Sequence, residues 1–287
     1  MELDKECKGC LYGSQMKKVE STQSDTAKLQ RFRDVVRTLC DNPPPHYCAP
    51  LLMRDIDSLH REIFGVGIDY SREKSLFNRA LLALEQKLYA EICASPDPIC
   101  TALKFAMSAN YIDFARMSNL DEGAVDYVVS AAERAKPDEA VLECFKQKLK
   151  NAEKLCVLHD NCGEIVLDKI LIRVIKDLYP NIKVVSVVRG KPIINDVTEY
   201  DAEEVGLGEY AEVIGNGTNV PATYLKEVSP RVLKEMEEAD VILSKGLGNL
   251  ETLYGEGYEI FYAFNCKCKH ISERFGAPLW SAVFAKE

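Results

Sequence analysis

The sequence predicts an α/β protein in which a helical half precedes a Rossmann-like α/β/α domain with a mainly parallel sheet. Three observations predict it. Apolar residues recur every three or four positions up to about residue 150, the period of an amphipathic helix. After that point short β-branched runs alternate with amphipathic segments, as in a parallel sheet covered by helices. Each of the first four runs also exits into polar or glycine-rich residues, and ligands of such sheets bind outside the carboxyl ends of the strands.

The helical half, residues 1–150, is expected to form a bundle or cap. Its periodic segments are KLQRFRDVVRTLC (28–40), SLFNRALLALEQKLYAEIC (75–93), DPICTALKFAMSANYIDFA (97–115) and DEAVLECFKQKLKNAEK (138–154). The prolines of DNPPPHY (41–47) and SPDP (95–98) break the pattern between them. In residues 151–287, KLCVLH (154–159), IKVVSVV (182–188), AEVI (211–214), DVILS (240–244) and YEIFYAF (258–264) predict strands. GEIVLDKILIRVIKDLY (163–179) and SPRVLKEMEEA (229–239) predict helices among them.

Composition narrows the function. The 287 residues are 47% apolar and 28% charged, ordinary for a folded globular protein. A net charge of -9 argues against a nucleic-acid partner, because affinity for a phosphate backbone rests on clustered Lys and Arg. An anionic substrate therefore needs a local positive site or a metal. No apolar run approaches the ~20 residues of a membrane span. MELDKECKGC has neither the basic nor the apolar region of a signal peptide, so a cytoplasmic location is expected. Most of the eleven cysteines, such as Cys93, Cys144 and Cys156, sit among apolar residues and read as small core side chains. Cys7 with Cys10 and Cys266 with Cys268 form two close pairs that offer four thiolates to a structural zinc; a disulfide, a redox pair or plain burial are the competing readings.

The strand exits carry the chemistry. They are HDNCGE (159–164), RGKPIINDVT (189–198), GNGTN (215–219) and SKGLGNLE (244–251). Asp160, Asn161 and Asp196 offer hard oxygen ligands suited to magnesium or manganese. Lys245 beside Gly246 and Gly248 suits phosphate, since glycines let backbone N–H groups approach an anion and the ammonium adds charge. Taken singly, each has an ordinary explanation: Asp160 or Asn161 as a helix cap near Gly163, Asp196 as a turn residue after Pro192, Lys245 as a solvated lysine. Their convergence at one sheet edge favours a site.

DNCGEIVLD (160–168), RGKPIINDVTEYDA (189–202) and SKGLGNLETL (244–253), in this order, resemble the metal-dependent damage-control phosphatases, a family related to the acidic-residue methyltransferase-like proteins. The resemblance extends to an Asn-x-x-Asp segment, Asn110 and Asp113, and to the amino-terminal CxxC of the compact microbial branch. It implies a helical domain joined to a Rossmann-like domain, a divalent metal (Mg, Mn, Ni or Co) and phosphatase activity on small phosphorylated metabolites such as sugar phosphates. It places the metal on Asp160, Asn161 and Asp196, and Lys245 and Asn249 at the phosphate end. Glu164, Asn110 and Asp113 fall around the same cleft, with Arg189 and Lys191 where basic residues help hold substrate. Asp160 or Glu164 is then the base for an attacking water. Direct attack by Asp160 is the alternative, but haloacid-dehalogenase phosphatases have a second Asp two positions after the nucleophile, where this chain has Cys162. Two other classes stay open: a methyltransferase using S-adenosylmethionine, disfavoured because the first turn lacks a glycine-rich loop, and a non-catalytic metal- or metabolite-binding protein.

Overall fold

The computed structural model describes residues 1, 3, 5–108 and 129–287. Helices α1 (Lys5–Thr22), α2 (Thr26–Asp41) and α3 (Ala49–Phe64) bury Met16, Val19, Phe32, Val36, Leu52 and Ile56 against one another. Asp25 starts α2 by accepting from the N–H groups of Ala27 and Lys28, and Pro50 lies in the first turn of α3. The continuous pattern over 75–93 resolves into two helices, α4 (Ser71–Leu82) and α5 (Glu85–Cys93), with Ala83 and Leu84 between them. α6 (Pro98–Ser108) and α7 (Glu139–Asn151) follow, residues 129–134 before α7 are also helical, and α7 is capped by Asp138 through Ala140 and Val141.

The second half forms a six-stranded sheet in the order β3-β2-β1-β4-β5-β6, the strand order of a doubly wound α/β fold. Its strands are β1 (Lys154–Leu158), β2 (Lys183–Val188), β3 (Glu212–Gly215), β4 (Val241–Lys245), β5 (Ile260–Asn265) and β6 (Ala282–Lys286). The first five pair in parallel, and β4 and β5 are buried along their whole length, as strands covered on both faces must be. β6 pairs antiparallel with β5 at the edge. It escapes the sequence reading because it is short and only Phe284 of its five residues is fully buried.

Helices cover both faces: α8 (Glu164–Leu178), α9 (Glu199–Glu204), α10 (Pro230–Glu237), α11 (Leu247–Leu253) and α12 (Lys269–Phe275). On one face Val185, Val232, Leu250, Tyr262 and Phe264 pack together. On the other, one core joins Leu103 and Phe145 from the first half to Ile170, Leu243 and Phe261 from the second. Phe145 of α7 meets Phe261 and Phe284 edge to face at 5.1 and 5.5 Å. Deleting such a ring costs about 3–5 kcal/mol, so α7 is fastened to the sheet and not merely adjacent to it. Among the described residues no helix is long and apolar enough to cross a membrane.

Candidate active site

β1 pairs with β2 on one side and β4 on the other, so the chain leaves its carboxyl end where the order of connection reverses, the place where such sheets open a crevice. Asp160 stands at that exit. Opposite it, Gly246 follows β4 with φ 81°, and a Cβ built there would lie 2.0 Å from Asp160 Oδ2 and 2.7 Å from Asp160 Cβ. Glycine is therefore required at 246 by the carboxylate that fills its side-chain space, as well as by its backbone angle.

The second exit loop is bound to the first through the backbone. Cys162 N–H donates to Asn195 O (3.0 Å), Val197 N–H donates to Asp160 O (2.9 Å), and Asn161 and Asp196 form an antiparallel bridge. These bonds bring Asp160 and Asn161 together with Asp196, which lies 35 or more positions later in the sequence. Ile194, the residue before the acceptor Asn195, has φ 42°. A β-branched residue in that region costs on the order of 1–3 kcal/mol, and such strain collects at functional loops.

Asn161 turns its amide nitrogen to Asp160 Oδ2 (2.7 Å), so its carbonyl oxygen is the end that could serve a cation. Arg189, the residue after β2, is fully buried between the two carboxylates. Its Nε donates to Asp196 Oδ2 at 2.6 Å, and Nη2 is 3.7 Å from Asp160 Oδ1. Both Nη1 and Nη2 are buried without a hydrogen-bond partner. Burial pushes the Asp196 carboxyl up to about 7; the Arg189 guanidinium opposes that rise and the Asp160 charge adds to it.

A second buried cluster lies behind the first. Lys245 Nζ donates to Glu164 Oε1 (2.5 Å), Asp168 Oδ1 (2.6 Å) and Ala106 O (2.8 Å), which satisfies all three of its donors. Burial opposes its charge, but the two carboxylates more than compensate and raise its pKa. Glu164 is pushed up to about 8 by burial, against the pull of Lys245 and with the help of Asp168 and Asp160. Asp168 is held low: burial works against its charge, but Lys245 and His159 outweigh it. Asp168 Oδ2 meets His159 Nδ1 at 2.9 Å, and His159 Nε2 meets Ser186 Oγ at 3.0 Å.

The remaining expected residues are placed as follows. Asn249 is buried, with Oδ1 accepting from Thr223 N–H and its amide nitrogen donating to Leu158, His159 and Lys245 carbonyls; it ties the exits of β1 and β4 to the 216–223 loop. The Lys191 side chain is exposed to solvent. Cys162 is buried behind the turn, and burial raises its thiol far above the ordinary value, which makes it a packing residue and a poor nucleophile. Asn110 and Asp113 lie outside the described residues. Asp168 and His159 were not foreseen. The available signal was the i, i+4 spacing of Glu164 and Asp168, which puts two carboxylates on one face of the helix.

The zinc expectation is corrected. Among the described residues no three or more His, Cys, Asp or Glu side chains gather as a metal-holding group, and none of the eleven cysteines is joined in a disulfide. Cys10 is exposed on α1, whereas Cys266 is buried with its sulfur directed to the carbonyls of Cys268 and Ala277. Of the cysteines expected in the core, Cys156 is buried, Cys144 half-buried and Cys93 exposed. A cation at the sheet edge would thus rest on two carboxylates and a carboxamide. Such a hard oxygen set fits Mg²⁺ or Mn²⁺, which fill their remaining positions with water or substrate oxygens.

The family model described as the damage-control phosphatase ARMT1-like domain matches residues 3–283. An uncharacterized protein of Methanocaldococcus jannaschii is 40% identical over 143 residues, 48% of this chain and 46% of that protein. A damage-control phosphatase of Pyrococcus horikoshii is 32% identical over 63% of both chains, and one of Archaeoglobus fulgidus is 27% identical over 99% of this chain and 98% of its own. The aligned stretch thus spans about half to nearly all of these relatives. The crystal structure of a DUF89 family protein from Pyrococcus horikoshii superposes with a TM-score of 0.85 at 25% identity, covering 100% of this chain and 99% of that one. Its α/β fold is shared, and none of these relatives carries a methyltransferase name. With its motifs at one sheet edge and the family match running nearly end to end, the chain belongs to the damage-control phosphatase ARMT1-like family.

Proposed function

We propose that this protein is a metal-dependent phosphomonoester hydrolase acting on small phosphorylated metabolites such as sugar phosphates. The observation that carries the reading is the Arg189 guanidinium, buried at the sheet edge with two nitrogens that lack a hydrogen-bond partner, beside two carboxylates and a carboxamide. Unpaired buried donors are costly, and a phosphate supplies the acceptors that satisfy them in a planar fork.

Asp160, Asn161 and Asp196 would hold the divalent cation, which supplies charge neutralisation to the phosphoryl oxygens and acidifies water. Arg189 orients the phosphate through Nη1 and Nη2 while Nε stays on Asp196. Glu164, ionised once the cation balances the cluster's charge, takes a proton from the attacking water and returns it to the leaving oxygen. Lys245 acts through Glu164: its ammonium, fixed by three acceptors, holds that carboxyl in place and tunes its charge. Attack by water is favoured over an aspartyl-phosphate, because the position two after Asp160 is a buried thiol, not a second carboxylate.

The test is hydrolysis of a panel of phosphate esters with Mg²⁺, Mn²⁺, Co²⁺ or Ni²⁺ by wild-type, Asp160→Ala and Asp196→Ala proteins. Metal-dependent turnover lost in both variants, with folding retained by circular dichroism, is the expected result. Turnover with an unchanged metal requirement in either variant removes that residue from the site, and no hydrolysis by the wild type of any ester overturns the reading.

A further inference from the structure

We propose that α4, a helix of the first half, is a positioning element for the metal ligands, acting through Asn78 on the loop of Asp160 and Asn161 and through Lys74 on the loop of Asp196. This rests on the metal assignment proposed above. Asn78 is fully buried, and its Oδ1 accepts from the N–H of Gly163 at 2.7 Å. Gly163 closes the Asp160–Asn161 turn and caps α8 with φ 79°, and no cap side chain of its own is available to that end. Asn78 supplies the acceptor from another helix. Its amide nitrogen donates to Glu204 Oε2 at 2.9 Å, at the end of α9, while Ser75 Oγ donates to Glu204 Oε1 at 2.5 Å.

One turn earlier on α4, Lys74 makes a buried ion pair with Asp201 Oδ2 at 2.5 Å. The same oxygen accepts from the N–H (2.8 Å) and Oγ1 (2.6 Å) of Thr198, two residues after Asp196. Lys74 therefore grips the start of α9, and through it the end of the loop that presents Asp196. Its charge also reaches Asp196 itself and opposes the rise in that carboxyl's pKa. Both contacts are buried, so neither is weakened by solvent as a surface pair would be.

The two loops already share backbone bonds, which fix them to each other. α4 adds a common external reference: one rigid helix holds the turn after Asn161 and the helix after Asp196. Partners of this kind, one step removed from a cation, set ligand orientation, and their removal typically lowers metal affinity about ten- to a hundredfold.

Mn²⁺ binding by calorimetry to wild-type, Asn78→Ala and Lys74→Met proteins tests this, with thermal unfolding measured beside it. Both variants should remain folded at the titration temperature and bind Mn²⁺ about ten- to a hundredfold more weakly. The double variant Asn78→Asp with Glu204→Gln exchanges carboxylate and amide while preserving the Gly163 acceptor and the bond between the two side chains, and should recover most of the affinity. A purely structural role would lower the unfolding temperature and leave the dissociation constant of the folded protein unchanged; that result in Asn78→Ala overturns the inference alone. A wild type that takes up neither Mn²⁺ nor Mg²⁺ overturns the metal assignment and this inference with it. Should Asn78→Ala fail to fold, Lys74→Met and the exchanged pair decide: wild-type affinity in Lys74→Met overturns the inference, and weakened affinity there with recovery in the pair supports it.

Discussion

Replacing Gly246 with alanine perturbs the site by a displacement that the geometry specifies. The new methyl carbon would sit 2.0 Å from Asp160 Oδ2, 2.2 Å from Cγ and 2.7 Å from Cβ, against ~3.5 Å for unstrained carbon contacts. Because even Asp160 Cβ is too close, a rotation of the carboxylate does not relieve the overlap, and the side chain must retreat by more than about 1 Å. A misplacement of that size in a reacting site costs on the order of a hundredfold in rate. The alanine is also forced to φ 81° and ψ 162°, a region essentially confined to glycine, which adds on the order of 1–3 kcal/mol of backbone strain. Gly246→Ala should therefore lose about a hundredfold in turnover and bind metal more weakly, with only a modest fall in stability. Steady-state kinetics, Mn²⁺ calorimetry and denaturant unfolding separate these three quantities. Wild-type metal affinity and turnover in a folded Gly246→Ala protein would refute the argument that this glycine exists to admit Asp160.

Lys245→Met should destabilise the protein by about 3–5 kcal/mol in denaturant unfolding, since it leaves Glu164 and Asp168 buried without their cation; a change within ~0.5 kcal/mol would show that the ammonium is not holding them. Arg189→Lys keeps a charge but loses the planar fork, and should weaken turnover and inhibition by inorganic phosphate in parallel. The loss should correspond to about 1.5–3 kcal/mol, roughly ten- to a hundredfold. Unchanged phosphate inhibition in that variant would remove Arg189 from the phosphate.

The parallel sheet was legible because five of its strands are apolar runs, four of them with polar or glycine-rich exits, and the sequence places Asp160, Asp196 and Lys245 at three of those exits. β6 was not, because a half-exposed edge strand of five residues carries little periodicity. The break between α4 and α5 was also hidden, because Ala83 and Leu84 are good helix formers and their propensity gives no sign of a stop. Sequence placed Arg189 at the site but gave no sign that it would be buried with free donors. Sequence likewise suggested phosphate for Lys245, whereas its three donors are already spent on Glu164, Asp168 and Ala106. Asn249 shows the same limit, since motif position put it near substrate and its bonds are all to backbone. Asn78 and Lys74 lie on a helix over 80 residues before the turn they support, a separation that no local pattern encodes.

The charges explain how an acidic chain can hold an anionic substrate. Arg189 lies between Asp160 and Asp196, and Lys245 between Glu164 and Asp168, so two cations stand among four carboxylates. Full ionisation would leave two negative charges in excess in a buried site, and the proposed divalent cation would close that deficit. Without it, two of the four carboxyls, Asp196 and Glu164, are raised to about 7 and about 8 and keep protons that serve the same end. For Glu164 the consequence for stability has a definite sign. Its pKa is ~4.3 in an unfolded chain and about 8 when folded, so between these values the native state holds a proton that the unfolded state has released. That contribution is fully present below ~4.3, declines as pH rises and is gone above about 8. In metal-free protein, Glu164→Gln removes it, so the stability of wild type relative to the variant should fall between about pH 5 and pH 8. Denaturant unfolding of both proteins across that range measures the difference; two stability curves that run parallel would show that Glu164 is ionised in the folded metal-free site and that its charge is balanced some other way.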